Sequence, residues 1–301
     1  MYRIALSGVR SVTCRVSASK TNTSSIPIRW CSAVVGQIRR QSTASTARTL
    51  EPGEAESLNY QARVDLAAAY RGLANYGLHE GICNHLTLSA PGRDGTSRVM
   101  LLIPYGLHWR EVTASKLIGV DIKTGKIIEG EGKPETSASE IHRAVHNARP
   151  DITASLHVHP PNATALGTLK DPQLLMLHQN SCRFYKDIAY DLQYDGYATS
   201  GEEGPRLAKV LADKKVIVMG NHGILIVSKS IAQAFDDVYY FERSAEVQVL
   251  AMSTGREIQL IPETLVSKIK EEADTTLGPY GEAHFESIKQ LLLREEPDFR
   301  S

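Results

Sequence analysis

The chain has 301 residues, 42% hydrophobic and 23% charged, proportions of a globular protein of one or two domains that exclude a disordered or collagen-like chain. No run approaches the roughly eighteen consecutive apolar residues of a membrane-spanning helix. The formal net charge of zero divides unevenly: residues 1–50 carry seven Arg, one Lys and no acid, leaving 26 basic against 34 acidic side chains in residues 51–301. A body near −8 lacks the basic field that nucleic acid or anionic lipid would require, so neither nucleic acid nor membrane is expected as partner. The expected partner is a small molecule or a protein.

Residues 1–50 are rich in Arg, Ser and Thr, with Arg3, Arg10, Arg15, Arg29, Arg39 and Arg40 spread along them and Glu51 as the first acid. That is the composition of a mitochondrial transit peptide, and scattered Ser and Thr interrupt any apolar core that a secretory signal would need. The alternative is a basic, disordered tail that stays attached. Two of the four Cys, Cys14 and Cys31, fall in this leader, and Cys83 and Cys182 show no CxxC spacing, so no disulfide framework is expected.

Beyond the leader, residues 60–77 place Val64, Ala67, Ala68, Leu73 and Ala74 near one helical face, with Gly77 as the stop. ICNHLTLSA and RVMLLIPYG, separated by PGRDGTS, predict a hairpin, and VDIKTGKII predicts a second one turning at Thr124-Gly125. SASEIHRAVHNARPD repeats Ile141, Ala144, Val145 and Ala148 at i, i+3, i+4 and i+7, a helix ended by Pro150. ITASLHVHP then alternates as a strand, with Ser155, His157 and His159 on one face and Leu156 and Val158 on the other. KKVIVMGNHGILIVS reads as two apolar strands joined through Gly220-Asn221-His222-Gly223, and a long helix runs from about Ile231 to Met252. No Pro/Gly/Ser-rich linker divides the body. The expected fold is therefore an α/β/α sandwich around a mostly antiparallel sheet, occupying residues 51–280 as one domain, with residues 281–301 as a C-terminal helical tail.

His157 and His159, at i and i+2 on a strand, can converge on one ion at the ~2.0–2.1 Å of metal–imidazole bonds, although two such His also serve as hydrogen-bonded core or cleft residues. His222, in a glycine-flanked turn, is either a third ligand or a turn His facing water. Glu140 competes between two roles. Ser137-Ala-Ser-Glu140 matches a capping box. Alternatively, a carboxylate near the start of the helix that feeds the His-x-His strand could lie beside the metal as ligand and proton carrier.

The series SASEIHRAVHNARPD, LHVHP and MGNHG, with Glu140, His157, His159 and His222 in that order, resembles the class II aldolase/adducin family, and ICNHLTL, LLIPYGL, VTASKL and YYFERSAE resemble its adducin-like branch. The resemblance covers nearly the whole body. It implies one divalent metal ion per subunit, Zn²⁺ first with Fe²⁺ or Mn²⁺ as alternatives, held by His157, His159 and His222. It also implies that Glu140 is an acid/base group and metal ligand, and that the protein is a homotetramer. The expected activity is a carbon–carbon lyase acting on a small hydroxy-carbonyl or oxo-acid through a metal-stabilised enediolate. The alternatives are an Fe(II)-dependent oxygenase or decarboxylase of an oxo acid, or a non-catalytic adducin-like assembly domain.

The phosphate cradle of the sugar-phosphate aldolases is altered. Its three small-residue pairs read here Asn84-His85, Tyr105-Gly106 and Ala138-Ser139, which removes room and short donors that a phosphate dianion needs. Asn84, His85, Tyr105 and Ser139 are left as contacts for another head group or as loop packing. His142 and His146, one turn apart on the helix after Glu140, have a spacing that either binds metal or lies on a solvated helix face, with His142 also a candidate to support the site from behind; Tyr185, Tyr190, Tyr194 and Tyr197 are proton-donor candidates among which the sequence does not choose.

Overall fold

The computed structural model describes residues 51–193, 196 and 201–301; the leader, Tyr194 and Tyr197 lie outside these residues. Among them the elements run α1 (Pro52–Asn75), β1 (His85–Pro91), β2 (Arg98–Leu102), β3 (Ile118–Asp121), β4 (Ile127–Glu129), α2 (Thr136–Ala148), β5 (Ala154–Val158) and α3 (Pro161–Gly167). They continue with β6 (Ile188–Asp191), α4 (Glu203–Leu211), β7 (Val216–Met219), β8 (Gly223–Ser228), α5 (Ile231–Ser253), α6 (Glu263–Thr276) and α7 (Gly278–Glu295). The eight strands form one sheet in the order β4-β3-β2-β1-β5-β8-β7-β6. Every pairing is antiparallel except β6 with β7, which are parallel. The α/β/α sandwich with a mostly antiparallel sheet is thus the fold observed.

Strand alternation divides the two faces. Antiparallel pairing sets His85 opposite His157 and Leu86 opposite Leu156, and on the other side of β5 sets Leu156 opposite Ile226. Leu86, Leu156, Val158, Ile224 and Ile226 join the large core beneath α1, α3, α5 and α7. The opposite face packs Leu225, Val227, Ile217 and Met219 against Ile141 and Val145 of α2 and Leu207 and Leu211 of α4. Each aliphatic side chain fully buried this way contributes about 1.5–3 kcal/mol. His85, Thr87, Ser155 and His157 belong to this α2-facing side, which is why a sheet otherwise lined with aliphatic residues carries a polar patch there.

α1 is tied to the sheet through Tyr70, whose buried hydroxyl donates to the Leu86 carbonyl at 2.7 Å and accepts the Leu86 N–H at 2.9 Å. The C-terminal residues close over the same helix. Phe285, Leu292 and Phe299 enter the large core, and Arg71 of α1 pairs with Glu296 and Asp298. Residues 281–301 therefore share the core of the body, whereas sequence patterning set them apart as a tail.

Four elements escape the sequence pattern. α3 and β6 are short, α6 buries only Val266, and α4 opens with a Gly-Pro pair inside its first turn. α4 matters most, because it lies against α2 closely enough that a Cβ on Gly204 would come within 2.6 Å of the Glu140 carbonyl. The start of α2 also differs from the capping-box expectation. Glu135 is the cap: its Oε2 accepts the Ala138 N–H at 2.8 Å and the Ser137 hydroxyl, so Ser137 lies inside the helix and supports the cap.

Candidate metal centre and its cavity

β5 presents His157 on the α2-facing side, His159 follows just beyond the strand, and the β7–β8 turn carries His222. The turn needs two unusual backbone features. Asn221 sits at φ +54, a left-handed conformation that Asn tolerates better than most residues. Gly223 allows the His159 ring to come close: a Cβ there would lie 2.5 Å from His159 Cδ2 and 2.7 Å from the Val158 carbonyl oxygen. As a result one nitrogen from each of His157, His159 and His222 falls within 4.8 Å of the others.

The tautomers follow from the outer hydrogen bonds. His157 Nδ1–H donates to the Ile224 carbonyl at 3.0 Å, and His159 Nδ1–H donates to the Glu80 carboxylate. Both Nε2 atoms are then left with lone pairs, and they face each other at 3.0 Å. Two lone pairs that close repel unless a proton or a cation lies between them. The spacing is within a few tenths of the roughly 3.3 Å separating two imidazole nitrogens on a tetrahedral ion at ~2.05 Å. Electrostatics favour the cation, since burial, followed by neighbouring imidazoles, holds His157 well below the usual histidine range. Burial, then His159, lowers His222 to about 4. His157 and His222 are therefore neutral at neutral pH, as imidazoles that could bind a cation must be. A three-imidazole donor set suits Zn²⁺, Fe²⁺ or Mn²⁺, and the Glu80–His159 contact is the carboxylate–histidine support that metal-binding rings commonly have.

Glu140 is not brought to this cluster. On α2, Ala138, Ile141, His142, Val145 and His146 are the buried positions, so Glu140 turns aside towards α4. There its carboxylate oxygens lie 3.8–3.9 Å from where a Cβ on Gly201 would be. The expected Glu140–metal juxtaposition is absent because α4 occupies that side of the helix. Among the described residues, the acids that line the cavity in front of the histidines are Glu80 and Glu135. Burial pushes Glu135 up, but its bonds from Ser137 and the Ala138 N–H outweigh this and hold it below the usual carboxylate range, hence ionised. Neither acid was singled out from sequence. Glu80 lies in an irregular loop, and Glu135 precedes the helix by one residue; only its position as a cap was a readable signal.

The cavity measures about 1070 Å³ and is also lined by His85, Tyr105, Ser137 and Asn221. Of the altered cradle residues, His85 and Tyr105 face it, Asn84 lines a narrower recess beside it, and Ser139 lines neither. Behind His85 runs a buried polar chain: His85 Nδ1 to His142 Nε2 at 2.7 Å, then His142 Nδ1 to Ser155 Oγ at 2.7 Å. Burial, followed by the neighbouring His146 for His142 and by Arg98 for His146, lowers both to about 3. His142 thus stands behind the site, as its place on the helix suggested. Tyr190 is spent elsewhere, its hydroxyl accepting the Leu174 N–H at 3.0 Å, and Tyr185 donates to Glu263 on α6.

Comparison with known families settles the kinship of this arrangement. The profile of the Class II Aldolase and Adducin N-terminal domain matches residues 64–249, a span holding the whole sheet and all three histidines. The chain belongs to the class II aldolase/adducin family. Among solved family structures, an aldolase II superfamily protein from Pseudomonas syringae is 33% identical, covering 81% of this chain and 96% of its own with a TM-score of 0.74. An L-fuculose 1-phosphate aldolase from Glaciozyma antarctica PI12 is 28% identical over 87% of this chain and 97% of its own, with a TM-score of 0.69. A family relative of different chemistry, Decarboxylase NovR of Streptomyces niveus, is 26% identical over 77% of this chain and 84% of its own.

Proposed function

We propose that this class II aldolase/adducin family member is a divalent-metal-dependent carbon–carbon lyase acting on a small hydroxy-carbonyl or oxo-acid. The observation that carries the reading is the pair of Nε2 lone pairs of His157 and His159 facing each other at 3.0 Å, with His222 converging on them. Three such imidazoles kept together only for packing would concentrate desolvated, mutually repelling groups without compensation. A divalent ion held by His157, His159 and His222 supplies Lewis acidity towards a carbonyl oxygen.

The chain's own groups do the rest. Glu80 fixes the His159 ring. Ionised Glu135, in place of Glu140, takes the proton of the hydroxyl whose carbon separates as the carbon–carbon bond breaks, while the bonding pair stays on the carbon next to the carbonyl. His85, braced by His142 and Ser155, provides a polar wall beside them. Likeness to the L-fuculose 1-phosphate aldolase supports lyase chemistry. Likeness to Decarboxylase NovR favours a second reading, decarboxylation or Fe(II)-dependent oxygenation of an oxo acid on the same histidines.

We further propose Zn²⁺ as the resident ion, a homotetrameric assembly, and mitochondrial import directed by the Arg-rich, acid-free residues 1–50. The test is metal analysis of anaerobically purified full-length protein beside a His157→Ala/His159→Ala variant. About one equivalent per chain, lost in the variant, is the expected result; zinc sustains the lyase reading and iron shifts it to the second. No metal in either protein after incubation with Zn²⁺, Mn²⁺ or Fe²⁺ refutes both and leaves an assembly domain.

A further inference from the structure

Beside the large cavity, and sharing His85, Tyr105 and Glu135 with it, lies a recess between the start of β1 and the loop from Pro104 to Trp109. It has room for about one water-sized group. Two of its lining residues are fully enclosed, Asn84 at 1% exposure and Trp109 at 0%. Asn84 Nδ2 and Trp109 Nε1 are both buried without a hydrogen-bond partner among the described residues. The Asn84 amide is oriented by its other end, since Oδ1 accepts the His159 N–H at 3.4 Å. A buried donor left unpaired is costly, so two of them on residues that line one recess call for an acceptor from outside the chain.

What that acceptor can be is limited in three ways. The space admits a single oxygen and not the four of a phosphate or the two of a carboxylate. Neither the recess nor the large cavity has Lys or Arg in its described lining. The carboxylate of Glu135 belongs to the same lining, so a second anion would meet like charge at close range in a partly buried space.

We infer that the recess formed by Asn84, Trp109 and Glu135 is a specificity subsite that holds one uncharged hydroxyl of the substrate, its oxygen accepting from Asn84 and Trp109. The substrate class is then an unphosphorylated hydroxy-carbonyl compound. This inference rests on the lyase reading for the other end of the molecule.

The test uses the zinc-loaded full-length chain, ¹⁵N-labelled at indole nitrogens, titrated with dihydroxyacetone, with hydroxyacetone, which lacks the distal hydroxyl, and with dihydroxyacetone phosphate. The chain has two Trp, so Trp109→Phe assigns its resonance. Dihydroxyacetone is expected to shift the Trp109 N–H signal and to bind roughly tenfold or more tightly than either competitor. Asn84→Ala, which spares the indole, should cut the preference over hydroxyacetone severalfold with zinc content unchanged. Tighter binding of the phosphate ester, an unmoved indole signal, or an undiminished preference in Asn84→Ala overturns the subsite. Failure of the wild type to retain zinc overturns the underlying lyase reading instead, which separates the two.

Discussion

Gly223→Ala tests the metal centre without touching a ligand. The added Cβ would meet His159 Cδ2 at 2.5 Å and the Val158 carbonyl oxygen at 2.7 Å, well inside van der Waals contact. The ring could swing away, but the carbonyl belongs to β5, which is bonded along its length to β1 and β8 and yields little. Relief must come from the turn or from His159, and either movement breaks the approach of His159 Nε2 to His157 Nε2. Overpacking of this kind costs about 1–3 kcal/mol in stability. Losing the orientation of one ligand in three should weaken metal binding roughly 10–100-fold, the range seen when supporting groups of metal ligands are lost. The assay is competition for Zn²⁺ against a chromogenic chelator, paired with urea unfolding of the metal-free protein. Gly53→Ala is the control, since nothing lies within 4 Å of a Cβ there and Ala suits the first turn of α1 at least as well. If Gly223→Ala matches the wild type in both affinity and stability, the three histidines do not depend on this close approach, and the geometric argument for the centre fails.

His157→Ala should abolish metal retention yet leave a cooperatively folded chain, because a preformed sheet and not the ion holds the domain; collapse of the circular dichroism signal would contradict this. Glu80→Gln should lower Zn²⁺ affinity about 10-fold or more by the same chelator competition, since the amide supports the His159 ring less strongly than a carboxylate. Glu135→Gln should reduce turnover at least 100-fold with metal content intact, while Glu140→Gln should leave turnover near wild type; the reverse order would return the proton-carrier role to Glu140. Stability should fall on acidification. His142 and His146 titrate near 3 when folded against an ordinary 6.5, so the unfolded chain takes up protons first. Their contribution is complete above about pH 6.5 and is lost progressively towards pH 3, at up to ~1.4 kcal/mol per pH unit for each histidine. Asp237, raised to about 6 by burial, works in the opposite sense, favouring the folded state most below its ordinary 3.8 and losing that effect as pH rises through 6. Urea midpoints of the metal-free protein between pH 4 and 7.5 check the sum, and midpoints independent of pH would refute it.

Much of the fold was legible in the sequence because its signals are local. The Ile141/Ala144/Val145/Ala148 spacing, the Thr124-Gly125 turn and the alternation through Leu156, His157 and Val158 each reflect the period of one element, and each corresponds to an observed element. The short α3 and β6 and the mostly exposed α6 carry little periodic signal, while α4 is amphipathic through Leu207, Ala208 and Leu211 but spans only nine residues behind a Gly-Pro start, and the sequence pattern does not pick out any of the four. Missing α4 had a consequence at the site. Without a neighbour packed on that side of α2, Glu140 looked free to reach the histidines.

The chain by itself determined that His157 and His159 share one strand face, that His222 sits in a glycine-flanked turn, and which family these spacings belong to, because spacing along a regular element needs no partner. Only the tertiary structure decided which residues meet. Strand order set β8 beside β5 and so brought His222 to the other two histidines; the outer bonds to Ile224 and Glu80 fixed which nitrogens face inward. The packing of α4 on α2 removed Glu140, and a helix cap put Glu135 at the cavity in its place. Convergence of groups 20 to 80 residues apart is a property of how layers stack, and no period within a single element records it.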